Sequence, residues 1–156
     1  MEIRERVVVD AHADAVWSML TDIPRVAPCI PGAEIERELD ARRYAGRVRV
    51  KVGPLALALG GELAIESVEP STRRIVLRGS GRDPRGLGEA DATIAITALS
   101  EGSATAIEIV TELRLGGPVA QFGRQGIVTG IARRMLEQFA ACLSERVTDE
   151  PTTERR

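Results

Sequence analysis

Large side chains are what this sequence has least of. Of its 156 residues only 3% are aromatic, namely Trp17, Tyr44, Phe122 and Phe139. With a formal net charge of -2 as well, a nucleic-acid binder is disfavoured. Such a protein needs basic residues against phosphates and rings to stack on bases. Histidine occurs once, as His12 beside Asp10 and Asp14, and reads as a solvated residue at a helix start rather than a general base. No residues show zinc, iron or molybdenum ligand spacing, so neither a catalytic residue nor a metal or other cofactor is expected. Cys29 and Cys142 stand far apart without redox or metal spacing. Two free, half-buried thiols are expected rather than a disulfide. The longest uncharged stretch, between Lys51 and Glu62, is broken by Gly53, Pro54, Gly60 and Gly61. It falls well short of the ~20 apolar residues a spanning helix needs. The opening "MEIRERVVVD" lacks a signal-peptide core, and the cytoplasm is the expected compartment.

What is present is small and apolar. Hydrophobic residues make up 44% of the chain and charged ones 28%, the balance of one folded domain. Twenty alanines and 15 glycines replace the missing bulk. Residues 2–9 alternate, with Ile3, Val7 and Val9 on one face and Arg4 and Arg6 on the other, as in a half-buried strand. "AHADAVWSMLTD" places Val16, Trp17 and Leu20 on one side of a short helix. "PRVAPCIPG" is too rich in proline for more than a turn of helix. From Glu34 to Leu115 the chain reads as consecutive antiparallel strands. Val48, Val50 and Val52 face inward against Arg47, Arg49 and Lys51. A long helix with Val128, Ile131, Met135, Phe139, Cys142 and Leu143 on one side is expected from Pro118 to about Val147, followed by a flexible tail over residues 148–156.

The order is strand, helix, proline turn, six strands, long helix. An α+β domain over residues 1–147, with a curved seven-stranded antiparallel sheet wrapped around the C-terminal helix, buries both apolar faces. This order resembles the helix-grip fold of the START-like (SRPBCC, Bet v 1-like) superfamily. "VWSMLTD" at 16–22, "CIPGAE" at 29–34, "VKVGP" at 50–54, "GGELAIESVEP" at 60–70 and "GGPVAQFG" at 116–123 resemble the CoxG family of carbon monoxide dehydrogenase subunits. That resemblance implies a small accessory protein, not itself an enzyme, that assists a molybdenum hydroxylase of the carbon monoxide dehydrogenase type at the cytoplasmic membrane. Some members carry a C-terminal apolar anchor. The sequence to Arg156 shows none, so at most a transient, peripheral membrane contact is expected.

Small residues also recur on the face that should be filled: Gly46, Gly61, Gly79, Ala90 and Ala92. Either the helix sits close to the sheet or a cavity remains. START-like domains commonly enclose an apolar pocket, and the resemblance favours that alternative. Its expected lining is Leu57, Leu59, Leu63, Ile75, Leu77, Ile94, Ile107 and Ile109, closed by Phe122, Ile127 and Ile131. Such walls select a lipophilic small molecule, quinone- or lipid-like. Gly123, Gly126 and Gly130 share one flank of the expected helix, as a gate or as a site of close packing. Glu5 has the parity of the inward set, either as a polar group in the pocket or as a side chain reaching water near a sheet end. The uncharged outward face of Ala56, Ala58 and Gly60, beside the basic stripe of Arg47, Arg49 and Lys51, is a further candidate surface for a partner. "GSGRDPRGLG" joins strand to strand, so it reads as a flexible hairpin and not a phosphate loop.

Overall fold

The computed structural model describes residues 1–149. Seven strands form one antiparallel sheet in the order β1-β7-β6-β5-β4-β3-β2. They are β1 (Glu2–Val9), β2 (Ala33–Asp40), β3 (Arg43–Val52), β4 (Leu55–Glu69), β5 (Arg74–Arg82), β6 (Glu89–Glu101) and β7 (Ala104–Gly116). Strands β2 to β7 form a meander, and β1 closes it by pairing with β7. Between β1 and β2 run helix α1 (Ala13–Leu20), the single turn α2 (Ile23–Val26) and a 3-10 turn (Ala27–Cys29). A second 3-10 turn (Pro118–Phe122) precedes the long helix α3 (Gln125–Asp149). Residues 150–156 of the expected tail lie outside the described residues, while residues 148 and 149 continue α3.

The strands form because apolar and charged residues alternate with the pleat. In β3, Tyr44 and Val52 are buried while Arg43, Arg49 and Lys51 are exposed. Glycine sets two of the turns that bound the strands. Gly32 has φ +80°, and a Cβ there would sit 2.1 Å from the Arg49 carbonyl oxygen. The same residue accepts a 2.9 Å hydrogen bond from Arg49 N. Gly53, at φ +59°, begins the tight β3–β4 turn with Pro54. Both lie in the sequence's most distinctive motifs, "IPG" and "KVGP", whose specificity is thereby a matter of backbone geometry.

Helix α3 starts later than the sequence predicts. Pro118 opens only the 3-10 turn, and Gly123 and Arg124 interrupt the chain before Gln125. The break is packed: a Cβ on Gly123 would lie 2.4 Å from Leu115 Cδ1. Gly123 therefore does not share a helical flank with Gly126 and Gly130.

The cysteines also differ from expectation. Cys29 and Cys142 are joined in a disulfide, with Cα atoms 5.3 Å apart and 113 residues of separation. Spacing along the chain could not reveal this, because only the fold carries the first 3-10 turn against α3. The bond lies beside a buried cluster of Val16, Met19, Leu20, Val26, Leu136, Phe139, Ala140 and Leu143. The C-terminal half of α3 is thus tied covalently and by packing. Its N-terminal half is held by buried Val128 and by a 2.8 Å hydrogen bond from Gln125 Nε2 to the Glu2 carbonyl.

Candidate ligand-binding site

The inner face of the sheet, toward α3, can be followed as rows of directly paired residues. One row runs Glu5, Ile109, Ile96, Ile75, Val68. The next runs Ile3, Thr111, Ile94, Leu77, Ile65, and the next Leu113, Ala92, Gly79, Leu63, Tyr44. A last row is nearly bare: Leu115, Ala90, Gly81, Gly61, Gly46, Ile35.

Ten of the eleven expected lining residues fall into three apolar clusters on this face. Leu57, Leu59, Phe122 and Ile131 gather around Val52 and Val119 at the end near the β3–β4 turn. Leu63, Ile75, Leu77 and Ile94 surround Tyr44 and Ile23, with Trp17 packed against them. Ile107 and Ile109 belong to the cluster beneath the disulfide. Ile127 joins none of these; it is 41% exposed in the first turn of α3.

Ile96 joins the second and third of these clusters. Ile75 and Ile107 are sealed at 0% exposure, whereas Leu59, Leu63, Gly79, Ala92, Ile94, Leu113 and Ile131 remain half-buried between them. Helix α3 packs over Ile107, whereas Ile75 is sealed by the cluster of Tyr44, Ile23 and Trp17. The backbone of α3 comes closest to β1, α1 and the first 3-10 turn, and its side chains reach further: Ile131 clusters with Leu57 and Leu59 of β4, and Leu136 and Phe139 with Ala98 of β6. The half-buried aliphatic residues between the clusters form the kind of surface on which an apolar ligand packs.

The small residues on this face have two separate causes. A Cβ on Gly61 would fall 1.9 Å from the Ser80 carbonyl oxygen, and one on Gly46 2.4 Å from that of Glu34. These glycines let neighbouring strands approach where the sheet bends, so their missing volume leaves no hole. Gly79 differs: a Cβ there would meet nothing nearer than Leu63 Cδ1 at 3.6 Å. Gly79, with Ala92 beside it, gives real room. In α3, a Cβ on Gly126 would meet nothing within 4 Å, and one on Gly130 only an arginine tip at 3.8 Å. Close packing does not account for either glycine. They lie in the half of the helix that the disulfide leaves untied, where a gate would operate.

Glu5 sits mid-strand opposite Ile109, not at a sheet end reaching water. Its side chain is 12% exposed, and Oε1 is 3.7 Å from Arg133 Nε on α3. Two further residues escaped the sequence reading. Tyr44 is buried beside Leu63, and burial, helped by Glu38 and Asp22, raises its phenol above its usual range. Trp17 packs on the same cluster. The parity of Tyr44 with Val48, Val50 and Val52 was the available signal. His12 is exposed at the N-cap of α1, with no side-chain capping bond.

On the opposite face the "GSGRDPRGLG" segment is pinned, not flexible. Residues 55–59 of β4 extend beyond the pairing with β5, which begins at Gly60 and Arg82. The loop's side chains replace the missing strand. Ala58 N donates to Asp83 Oδ2 at 2.9 Å, and Arg85 donates to the Ala56 carbonyl at 2.6 Å. Arg85 also bonds Asp83 at 3.0 Å. That pairing, with the Ala58 amide, holds the buried Asp83 carboxyl well below the ordinary carboxylate range. Two open hollows of about 410 and 350 Å³ flank this clamp. Arg49, Lys51, Ala56, Ala58 and Arg85 line the first, and Arg47, Ala58, Gly60, Gly61 and Arg82 the second. Among the described residues, no group of three or more His, Cys, Asp or Glu side chains could hold a metal, and no helix is long and apolar enough to cross a membrane.

The family profile of CoxG, a carbon monoxide dehydrogenase subunit, matches residues 6–148. The chain belongs to the CoxG family. Its fold is START-like. A conserved protein from Geobacillus kaustophilus superposes with a TM-score of 0.82 at 17% identity, covering 95% of each chain. The ZhuI aromatase/cyclase from Streptomyces sp. R1128 gives 0.63 at 15% identity, covering 95% of this chain and 93% of the other. A START superfamily protein from Mycobacterium smegmatis gives 0.58 at 19% identity, covering 94% and 97%. At such identities the likeness is one of fold. No curated protein matches the chain.

Proposed function

We propose that this CoxG-family protein is a non-catalytic binding protein. It accommodates a lipophilic small molecule, quinone- or lipid-like, between α3 and the sheet, and assists a molybdenum hydroxylase of the carbon monoxide dehydrogenase type. The observation that carries the reading is the half-buried aliphatic surface of Leu59, Leu63 and Ile94 on the sheet, with Ile131 of α3 beside it. The ligand enters beside Phe122 through the half of α3 that carries no disulfide, around Gly126 and Gly130. It leaves by the same route toward the partner enzyme.

The test is to incubate the purified protein with a bacterial lipid extract, repurify it and identify bound molecules by mass spectrometry. A stoichiometric isoprenoid or acyl species supports the reading; protein that emerges empty from every extract sinks it. We propose that this work takes place at the inner face of the cytoplasmic membrane, by transient contact. Disulfides persist mainly in oxidising surroundings, so the Cys29–Cys142 bond weighs against a reducing compartment. Trapping thiols with an alkylating agent at lysis decides the matter.

A docking or maturation role has its own support in the outer face, where Ala56, Ala58 and Gly60 lie between hollows edged by Arg47, Arg49, Lys51, Arg82 and Arg85. A pull-down of the hydroxylase abolished by Ala58→Glu but not by Ile94→Asp favours that role. An enzymatic role of the cyclase or hydrolase kind shares the fold, and needs a polar group inside the site. Unchanged binding and activity in Glu5→Gln would remove it.

A further inference from the structure

Glu5 is the ionisable side chain that the apolar face is least equipped to tolerate. It stands in a row with Ile109, Ile96 and Ile75, between Ile3 and Val7 on its own strand. Oε1 faces Arg133 at 3.7 Å, too far for a hydrogen bond but close enough for an ion pair. Oε2 is buried and has no hydrogen-bond partner among the described residues. A buried acceptor left unpaired carries an uncompensated desolvation cost, and native proteins supply such atoms with a donor. Arg133, itself 63% exposed, directs its charge at the other oxygen. Oε2 therefore keeps free acceptor capacity for a donor that reaches the apolar face beside β1.

We propose that Glu5 Oε2 accepts a hydrogen bond from a hydroxyl group on the ligand, so that the site selects lipophilic molecules carrying a phenolic or alcoholic head. The inference rests on the binding function proposed above and narrows it. A carboxylate is acceptor-only. It attracts a hydroxyl and repels a bare carbonyl or ether oxygen. Among quinones it therefore favours the reduced, hydroxyl-bearing form over the oxidised one, whose ring oxygens are themselves acceptors. Arg133 positions the carboxylate through Oε1 and leaves Oε2 for the ligand.

Two probes that differ by one donor separate this proposal from the broader reading. Para-nonylphenol and its methyl ether, para-nonylanisole, are titrated into the protein by calorimetry. Wild type should bind the phenol about ten- to a hundredfold more tightly, the ratio for one hydrogen bond to a charged acceptor. Glu5→Gln should bring the ratio below about threefold, because its amide donates to the ether as readily as it accepts from the phenol. Glu5→Leu should abolish the preference while keeping affinity for the ether. Thermal melts confirm which variants are folded, and the wild-type ratio alone tests the proposal if neither is. Equal affinity of wild type for both probes, or a preference that survives in Glu5→Leu, overturns the role of Glu5 and leaves the apolar site standing. If neither probe binds wild type, the binding reading falls and this proposal with it.

Discussion

Breaking the Cys29–Cys142 bond is the most informative single perturbation of this fold. The bond closes a loop of 113 residues that contains six of the seven strands. The chain-entropy relation gives about 4.8 kcal/mol of stabilisation for a loop of that length, by restriction of the unfolded chain. Little native packing should be lost in return. Cys29 is 3% exposed and Cys142 half-buried, and a reduced thiol or an alanine fits either place as a small apolar group. With a urea dependence of about 2 kcal/mol/M, the unfolding midpoint should fall by about 2.4 M. The assay is urea unfolding at 25 °C followed by far-UV circular dichroism. It compares oxidised protein, protein with a phosphine reductant, and the Cys29→Ala/Cys142→Ala double variant. Reduced and double-variant proteins should coincide, and both should lie well below the oxidised curve. Superimposable curves for all three would refute the reasoning, as would two titratable thiols in unfolded, unreduced protein.

Further outcomes follow from the geometry. Asp83→Asn should unpin the β5–β6 loop, so that hydrogen exchange at the Ala58 amide rises sharply while exchange at Ile107 does not. Because the folded Asp83 carboxyl lies below its unfolded value of 3.8, the stability it adds is fully present above that pH. It is lost as pH falls below it, so wild type and Asp83→Asn should converge in acid unfolding. Gly61→Ala should cost about 1–3 kcal/mol in urea unfolding, since its Cβ would collide with the Ser80 backbone. Gly79→Ala, with 3.6 Å of clearance, should leave the midpoint nearly unchanged and weaken ligand binding. Gly126→Ala and Gly130→Ala should each stabilise α3 by about 1 kcal/mol and slow ligand entry in stopped-flow fluorescence of Trp17. Unchanged entry rates would remove the gate.

How legible all this was in the sequence depended on how local the cause is. Alternation in β3 exposes its inner and outer faces without reference to any other strand, and so does the parity of Glu5 in β1. The depth of Glu5 was not legible, because it depends on β7 placing Ile109 opposite and on α3 carrying Arg133 across. The disulfide was invisible for the same reason: two cysteines 113 residues apart become neighbours only after the first 3-10 turn folds against α3. The glycine-rich inner face was legible as a deficit of volume but not as two deficits. Gly46 and Gly61 are small because strands meet there, whereas Gly79 has clearance for a side chain. Likewise the break before α3 turns on Leu115 filling the place of a Gly123 side chain, which helical periodicity cannot anticipate. Asp83 and Arg85 looked like loop composition until the unpaired edge of β4 gave them partners.

The central claim, a lipophilic ligand held between α3 and the sheet, is tested most directly by methyl NMR. The spectra would be those of protein titrated with the molecule recovered from lipid extract. The Leu63, Ile94 and Ile131 methyls should shift, with Val8 and Val110 on the outer face unmoved. Shifts confined to the outer face, or to Ala56 and Ala58 beside the basic stripe, would contradict it.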